Sequence, residues 1–419
     1  MSAKIARSRK PTRRTPRAAA APALKPLHCS PAKLCALAKR ILAQPTAPFY
    51  EGFVQQEICH FVQARSALEL GFDAHGNLLI RYEGRRPAQQ KQTGHWVLTA
   101  HLDHPGMAVE QALPNGRVQL EMLGGVSLEF FAGAPIALFS LDRPANQKPL
   151  KARVLEARNG LDERGRTRVK TVIAKLAQKP PADLPLGPRW FAMWDLPPFQ
   201  RHGDRLSGRV MDDLMGAVCA LAVLDDLNRR RPAVRVDVLF TRAEEIGFGG
   251  MIAAARGQGL SRQAWYVNLE CSSLKAGAVQ GGGPVLRVGD YMSTFDPGIL
   301  GALGEAARGP VAAGRLKVQR KLMDGGVCEA TVLCAEGYRA GGACLALGNY
   351  HNMGQRRIEA ETVSLADALG LIHLLSALVL LPGGAPAAVD AQRKRITGIL
   401  DQIDQASNPR LKHTRPLFR

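Results

Sequence analysis

The side chains of this sequence that are best suited to chemistry are acids and histidines at the ends of apolar segments. They form five short groups, which are His101-Leu102-Asp103, Asp212-Asp213, Glu244-Glu245, Glu270 and His351. Carboxylates and imidazoles are good ligands for zinc, manganese and cobalt, and two such ions need a carboxylate that can bridge them. Two cations also lower the pKa of a shared water until hydroxide is available near neutral pH. The five groups therefore predict a two-metal hydrolytic site.

Each group also has an ordinary structural explanation when it is considered alone. An Asp-Asp pair before a helix commonly caps that helix, and a single histidine at a strand end is commonly structural. A Glu-Glu pair is usually solvated surface, but Glu244-Glu245 directly follows an apolar strand and is succeeded by Ile246-Gly247. The order and placement of all five groups favour the metal site over five unrelated structural roles.

The elements that must position these groups alternate between strand and helix. Apolar segments predict strands at 96–100, 234–241 and 265–269, each followed within three residues by one of the groups. Helices are predicted from 212 to 227 and from 248 to 256. Such alternation indicates an α/β fold with a mostly parallel central sheet covered by helices on both faces, and folds of this kind carry their chemistry at strand ends.

The remaining periodic segments complete this body. The sequence predicts a helix after the capping residue Ser30, and a final helix from 364 to 381 that begins with a capping box. Between them it predicts helices at 52–67, 299–307 and 330–336, a hairpin at 71–82, and strands at 316–321 and 343–347.

Residues 107–205 differ from the rest of the chain. They hold several short β-like segments separated by Gly, Pro, Asn and Asp, which predicts a small inserted β domain. The catalytic α/β domain is then expected to comprise residues 30–106 and 206–385. Residues 1–29 are expected to form a disordered basic arm, and residues 386–419 a basic C-terminal tail.

The net charge of +20 is concentrated at the two ends of the chain. Residues 1–28 contain eight lysines and arginines and no acid, and residues 391–419 contain seven against two aspartates. The arm is expected to be solvated and unstructured. Weak contact of these tails with a polyanion such as nucleic acid, or a targeting function of the arm, are the alternatives.

Cysteine usage and hydropathy bear on the location of the protein. The eight cysteines show no C-x-x-C pair and no scaffold spacing, which favours a reducing, cytoplasmic setting. The longest apolar run in the C-terminal part, residues 369–381, is too short to span a bilayer and contains His373 and Ser376. We therefore expect no contact with a membrane.

Four short motifs resemble those of the tetrahedral, glutamyl and deblocking aminopeptidases, a family of two-metal exopeptidases within the wider zinc-peptidase superfamily. They are TAHLDHPGM at 99–107, VMDDLMG at 210–216, FTRAEEIG at 240–247 and YH at 350–351, and the resemblance spans residues 31–381. The related carboxypeptidases and deacylases place their extra domain after the fourth metal acid. Here the insertion lies between His101 and Asp212, which favours the aminopeptidase branch.

The resemblance implies a role for each matching residue. His101 and Glu270 resemble the ligands of the first metal ion, and Glu270 stands where the family usually has Asp. Asp212 resembles the bridging ligand. Glu245 and His351 resemble the ligands of the second metal ion. Glu244 resembles the catalytic base. Asp103 resembles the carboxylate that fixes the imidazole of the first histidine. The resemblance also implies two divalent metal ions, with zinc as the first choice and cobalt or manganese as alternatives. It further implies a peptide substrate and a homo-oligomer.

Four positions depart from the family pattern. His104 stands where the family usually has an acid after the first motif. Leu214 stands where an Arg is common after the Asp-Asp pair, and Asn352 stands where a Ser follows the last histidine. Cys328 lies in Val327-Cys328-Glu329, where the family tends to have Thr-Asp. Because the expected ligands are all present, these departures concern the surroundings of the metals and the substrate pocket, and they could reduce or redirect the activity.

The sequence thus predicts a metallo-aminopeptidase that releases N-terminal residues from peptides. A related metal-dependent deacylase or carboxypeptidase is an alternative, because those enzymes use a similar set of ligands. A protein without catalytic activity that contacts polyanions through its basic tails is a second alternative.

Overall fold

The structure, a computed structural model, describes residues 29–84, 94–144, 146–162, 165–180 and 185–413. The arm predicted at 1–29 lies outside the described residues except for Cys29, as do the last six residues of the tail. The helices are α1 (Pro31–Leu42), α2 (Gly52–Gln63), α3 (Leu214–Arg230), α4 (Gly249–Arg256), α5 (Pro297–Ala312), α6 (Glu329–Ala335), α7 (Leu365–Val379) and α8 (Gly384–His413).

Seventeen strands are present in the described part of the chain. They are β1 (Leu68–Phe72), β2 (Leu78–Glu83), β3 (His95–His101), β4 (Gly106–Leu113), β5 (Arg117–Leu123), β6 (Pro135–Ser140), β7 (Leu150–Leu161), β8 (Thr167–Leu176), β9 (Trp190–Trp194), β10 (Gln200–His202), β11 (Arg205–Gly208), β12 (Arg235–Thr241), β13 (Trp265–Ser273), β14 (Val285–Asp290), β15 (Gln319–Met323), β16 (Arg339–Leu347) and β17 (Glu361–Ser364).

The largest sheet has eight strands in the order β1-β2-β12-β3-β13-β16-β14-β15. Its four central strands, β12, β3, β13 and β16, pair in parallel. Strands β1 and β2 are added antiparallel on one side, and β14 pairs antiparallel with β16 on the other. Strand β15 at the edge pairs in parallel with β14. The sheet as a whole is therefore mixed, and the prediction of a mostly parallel sheet is not confirmed.

Both faces of this sheet are buried under helices. Along β3, Trp96 and Leu98 belong to the large core beneath α1, α3, α5 and α7, whereas Val97 belongs to a second core beneath α4 and α6. Since successive side chains of a strand point to opposite faces, the uniform burial of β3 follows from this double cover. A strand buried in this way holds its last residue, His101, in a rigid position.

A closed barrel of six strands lies between β3 and α3 in the chain. Its strands follow the order β4-β5-β8-β7-β6-β9 and run from Gly106 to Trp194. A separate apolar core fills it, in which Phe131 and Trp194 meet edge to face at 5.3 Å between ring centroids. After the barrel, β10 and β11 form a small sheet with β17 and return the chain to α3.

Several elements begin or end at other residues than the sequence predicts. Strand β13 runs on to Ser273, so that Glu270 lies within a strand and not after it. Helix α2 ends at Gln63, four residues before the predicted end. The tail predicted from residue 386 is a helix, α8, up to His413. Strand β14 was not predicted, because its segment reads as loop between glycines.

All eight cysteines are free of disulfide bonds. In the described ranges, no single helix is both long enough and apolar enough to cross a membrane. Helices α7 and α8 together meet those criteria of length and composition as a pair bent by 95°.

Candidate metal centre

The five residues that the sequence predicts as metal ligands come together at one edge of the large sheet. His101 ends β3, Glu270 lies near the end of β13, and Glu245 follows β12 by four residues. Because β12, β3, β13 and β16 are parallel, their carboxyl ends share this edge. His351 follows β16, and Asp212 precedes α3 at the same place.

Asp212 lies at the centre of the cluster, between the two histidines. Its Oδ1 is 3.4 Å from His101 Nε2, and its Oδ2 is 4.0 Å from His351 Nε2. The two oxygens of one carboxylate thus face different imidazoles. This is the arrangement that a carboxylate bridging two cations requires.

A second carboxylate accompanies each histidine. Glu270 Oε1 is 3.5 Å from His101 Nε2, and Glu245 Oε2 is 3.2 Å from His351 Nε2. The ligand atoms of His101, Glu244 and Glu270 lie within 4.8 Å of one another, as do those of His101, Asp212 and Glu245. Each half of the cluster therefore contains one histidine, one glutamate and one carboxylate oxygen of Asp212.

Both imidazoles are oriented by a backbone carbonyl. His101 Nδ1 is 3.1 Å from the carbonyl oxygen of Asp103, and His351 Nδ1 is 2.6 Å from that of Gly125. A carbonyl only accepts hydrogen bonds, so the proton resides on Nδ1 in each ring. Nε2, which is directed toward the carboxylates, is then the nitrogen that can bind a metal ion when its own proton is absent.

Several buried carboxylate oxygens in the cluster have no hydrogen-bond partner among the described residues. They are Asp212 Oδ1, Glu245 Oε1 and Glu270 Oε2. A buried charge without a partner costs several kcal/mol or shifts its pKa, so such groups are normally paired or coordinate a metal. The donor set of nitrogen and carboxylate oxygen fits divalent ions of the zinc type.

Asp103 acts on the Glu-Glu turn more directly than on His101. Its Oδ1 and Oδ2 accept hydrogen bonds from the backbone nitrogens of Glu244 and Glu245, at 2.9 and 3.0 Å. Its Oδ1 is 3.6 Å from His101 Nδ1, farther than its own carbonyl oxygen. The imidazole contact expected of the Asp103 carboxylate is thus made mainly by its backbone.

Glu51, a residue that the sequence analysis missed, holds the same turn from its other end. Its Oε1 accepts from Ala243 N at 2.9 Å, and its Oε2 accepts from Arg242 Nε at 2.8 Å. Ala243 has a φ of 52°, a left-handed conformation that the surrounding contacts must impose. Glu51 stands before α2, far from the motifs in sequence, and no local signal marks it.

Glu361 was also missed, and it connects the two halves of the centre. Its Oε2 accepts from the backbone nitrogens of Met211 and Asp212, at 2.7 and 3.1 Å. Its Oε1 accepts from His351 N at 2.9 Å. Glu361 is fully buried, so this single carboxylate fixes the backbone of the central acid and of the last histidine.

Two of the departures from the family pattern are partners of each other. His104 Nε2 is 2.9 Å from Asn352 Oδ1, and His104 Nδ1 is 2.9 Å from the carbonyl oxygen of Asp212. Asn352 Nδ2 donates to the carbonyl of Arg209 at 3.1 Å. The other two, Leu214 and Cys328, are fully buried. His104 and Asn352 therefore support the loops that carry the acids.

Burial and the crowding of negative charge shift the pKa values of the cluster. Burial raises the pKa of Glu244 well above its usual range, and the nearby carboxylates of Glu270 and Glu245 raise it further. Burial alone would lower the pKa of His101, but the carboxylates around it, above all Glu244, outweigh burial and raise it. Burial also raises the pKa of Asp212. These shifts express the excess of negative charge that divalent cations would balance.

Comparison with known proteins supports the assignment suggested by this geometry. The family model described as M42 glutamyl aminopeptidase matches residues 76–356, more than half of the chain. The chain belongs to this family. The M42 family is one of metal-dependent aminopeptidases, and that is the class of this enzyme. No curated protein matches the chain.

Solved structures of other aminopeptidases share the fold of this M42 protein. The TET1 peptidase of Pyrococcus horikoshii, which can assemble into a tetrahedron or a large octahedral shell, is 19% identical, with a TM-score of 0.67 over 83% of this chain and 100% of that one. An aminopeptidase of the archaeon Desulfurococcus kamchatkensis is 17% identical, with a TM-score of 0.68 over 86% of this chain and 98% of that one.

The M42 centre opens into a cleft of about 460 Å³, a volume that includes space open to solvent. Arg287 lines this cleft and donates from Nη1 to Ser272 Oγ at 3.1 Å. Burial would raise the pKa of Glu270, but contacts with His101 and the charge of Arg287 outweigh burial and lower it. The remaining walls are formed by Cys271, Ser273, Ala276, Met323, Gly325, Gly326, Val327 and Tyr350.

Proposed function

We propose that this aminopeptidase binds two divalent ions with Asp212 as the bridging ligand. His101 and Glu270 would complete the ligands of the first ion, and Glu245 and His351 those of the second. The observation that carries the proposal is the placement of Asp212, whose two oxygens face the Nε2 atoms of different histidines. When bound, the two ions supply an activated water by lowering its pKa.

Glu244 is proposed as the general base and acid. Its carboxylate is buried beside His101 and Glu270, and its backbone is anchored by Asp103. Burial raises its pKa in the metal-free protein, and the positive charge of bound ions would lower it again, toward the range in which a group can accept a proton and later return it. Glu244 would take the proton of the attacking water and deliver a proton to the leaving amine. A peptide with a free N-terminus is the proposed substrate.

The roles of these residues are tested by Glu244→Gln. We expect peptide hydrolysis to fall about 10²- to 10⁴-fold, the usual contribution of a general base, while metal content stays the same. Glu69→Gln, which makes the same change on an exposed part of β1, is the control and should leave both quantities unchanged. Full activity in Glu244→Gln, or the absence of stoichiometric metal in purified wild-type protein, would refute the mechanism.

Zinc is the metal that we propose, with cobalt or manganese as alternatives. The support is the ligand set of two imidazoles and three carboxylates, which suits all three ions. Elemental analysis of the protein as purified, followed by removal of the metal and addition of each ion separately, would decide among them. Restoration of activity by magnesium alone would contradict the proposal.

We further propose that copies of the chain form a homo-oligomer in the cytoplasm. The fold shared with the TET1 peptidase of Pyrococcus horikoshii, which assembles into shells, supports the first part. The segment 107–205, which contains the barrel, is the proposed site of contact. Eight cysteines without a disulfide support a reducing compartment. Contact of the basic tails with a polyanion is a weaker proposal, supported by charge alone, and would weaken steeply with salt.

A further inference from the structure

Beyond its first turns, helix α8 carries an apolar face that is about half exposed, although Ile396 on this face also lines a cleft with Leu300 and Gly304 of α5. Its first turns pack into the large core through Ala385 and Ala388, and Arg395 pairs with Glu305 of α5 at 2.6 Å. After Ala388, none of its side chains is buried, as far as Leu411, the last one described. The helix lies beyond residues 76–356, which match the family model.

Four large apolar side chains follow one another on this exposed part. Ile396, Ile399, Leu400 and Ile403 are 49, 51, 58 and 54% exposed. Their spacing of three, one and three residues places them within an arc of roughly 100° on the helix, the width of a face that packs against a partner. An exposed helix in water is marginally stable by itself and gains most of its stability from packing such a face. We call these four residues the α8 stripe.

The charges beside the α8 stripe indicate what covers it. Arg393 and Asp404 lie on the same flank of the stripe, roughly 60° and 80° around the helix from Ile396. If a second α8 runs antiparallel, with a two-fold axis between Ile399 and Leu400, Ile396 of each copy meets Ile403 of the other. Arg393 of each copy then lies on the same side of the pair as Asp404 of the other, displaced by two residues or about 3 Å along the helix, within reach of a long arginine side chain. In a parallel pair the opposite flanks of the two helices would face each other, so Arg393 and Asp404 would not meet.

We propose that the α8 stripe binds the α8 stripe of a second copy of this chain in an antiparallel pair. Such an interface is self-complementary, as two-fold symmetry requires, and its two ion pairs select the antiparallel direction. Asp404 beside the stripe opposes binding to an anionic membrane, because lipid-binding helices carry basic residues there, whereas a pair of α8 helices uses both Asp404 and Arg393. The paired segment buries less than the ~800 Å² per partner of a typical stable complex, so association is weak and depends on concentration.

The test is sedimentation velocity of the full-length protein over a range of concentrations. Leu400→Asp places a charge within the stripe and should raise the dissociation constant of the pairing step by about tenfold or more. Gln405→Asp adds the same charge on the opposite face and is the control, which should sediment as the wild type does. Peptide hydrolysis, measured in parallel, should be unchanged in both variants, so failure of the pairing is distinct from failure of the catalytic proposal.

A charge exchange tests the direction of the pair. Arg393→Asp and Asp404→Arg should each weaken association, because each opposes like charges twice, and the double variant should restore it. Self-association of Leu400→Asp equal to that of the wild type would overturn the proposal. So would a double variant no better than the single ones, or a wild-type protein whose stripe binds vesicles of phosphatidylcholine and phosphatidylserine but not a second copy.

Discussion

Glu361 is the residue whose replacement tests the construction of the metal centre most directly. Its carboxylate accepts three backbone hydrogen bonds, from Met211, Asp212 and His351, at 2.7, 3.1 and 2.9 Å. Glu361→Gln keeps the size of the side chain but turns one acceptor oxygen into an NH₂ group that faces a donor. At least one buried N–H then loses its partner, and the others lose the charge of theirs.

The expected magnitude follows from these contacts. Hydrogen bonds to a charged group contribute about 1.5–3 kcal/mol each, and an unsatisfied buried donor costs about 1–3 kcal/mol. We expect Glu361→Gln to lower the free energy of unfolding of the metal-free protein by about 2–4 kcal/mol. Because the backbones of Asp212 and His351 both rest on Glu361, metal affinity should fall about 10- to 100-fold, as for other groups that orient ligands.

Urea unfolding of the metal-free protein and titration with zinc measure these two quantities. Glu359→Gln is a matched control two residues away, on a partly exposed side chain that pairs with Arg357 at 3.2 Å. It should change the stability by no more than about 0.5 kcal/mol. If Glu361→Gln unfolds and binds zinc as the wild type does, Glu361 does not hold the two halves of the centre together.

Three further outcomes are expected. Burial raises the pKa of Glu329 to about 8, so between about pH 4.5 and 8 the metal-free folded state keeps a proton that the unfolded state has lost. The free energy of unfolding should therefore fall as pH rises through this range. Glu329→Gln should flatten that decline in urea unfolding, and an unchanged slope would count against this assignment to Glu329. Asp103→Asn should lower kcat more than it raises KM, because it loosens the Glu244-Glu245 turn; a change in KM alone would be inconsistent with this. His104→Ala and Asn352→Ala should cost less stability together than the sum of their separate effects, because the two side chains share a hydrogen bond, and strict additivity would show that they do not interact.

The sequence predicted which of these residues lie together in space, because each is next to a strand or helix with strong periodicity. His101 follows a segment that is apolar throughout, and such a segment is buried on both faces of a sheet. The parallel arrangement of the central strands then brings distant motifs to one edge. The convergence of His101, Asp212 and Glu245 could thus be anticipated from alternation of elements and from the family motifs.

The supporting residues could not be found in this way. Glu51 and Glu361 act through backbone nitrogens that are far away in the sequence, and a single glutamate carries no periodic signal. Strand β14 of the large sheet and strand β17 of the small sheet were not predicted for a related reason, because β14 follows a run of glycines and β17 has only four residues. Long-range pairing decides their state, so the antiparallel additions to the sheet were not predicted.

The contact between Gly125 and His351 has a consequence for modularity. Gly125 belongs to the loop that follows β5 of the barrel, yet its carbonyl oxygen holds the ring of a candidate ligand at 2.6 Å. The barrel therefore cannot be excised as an appendage and leave a complete catalytic half behind. We expect a variant that lacks residues 107–205 to lose the hydrogen bond that orients the His351 imidazole. We also expect any contact that displaces the barrel to change the orientation of that ring.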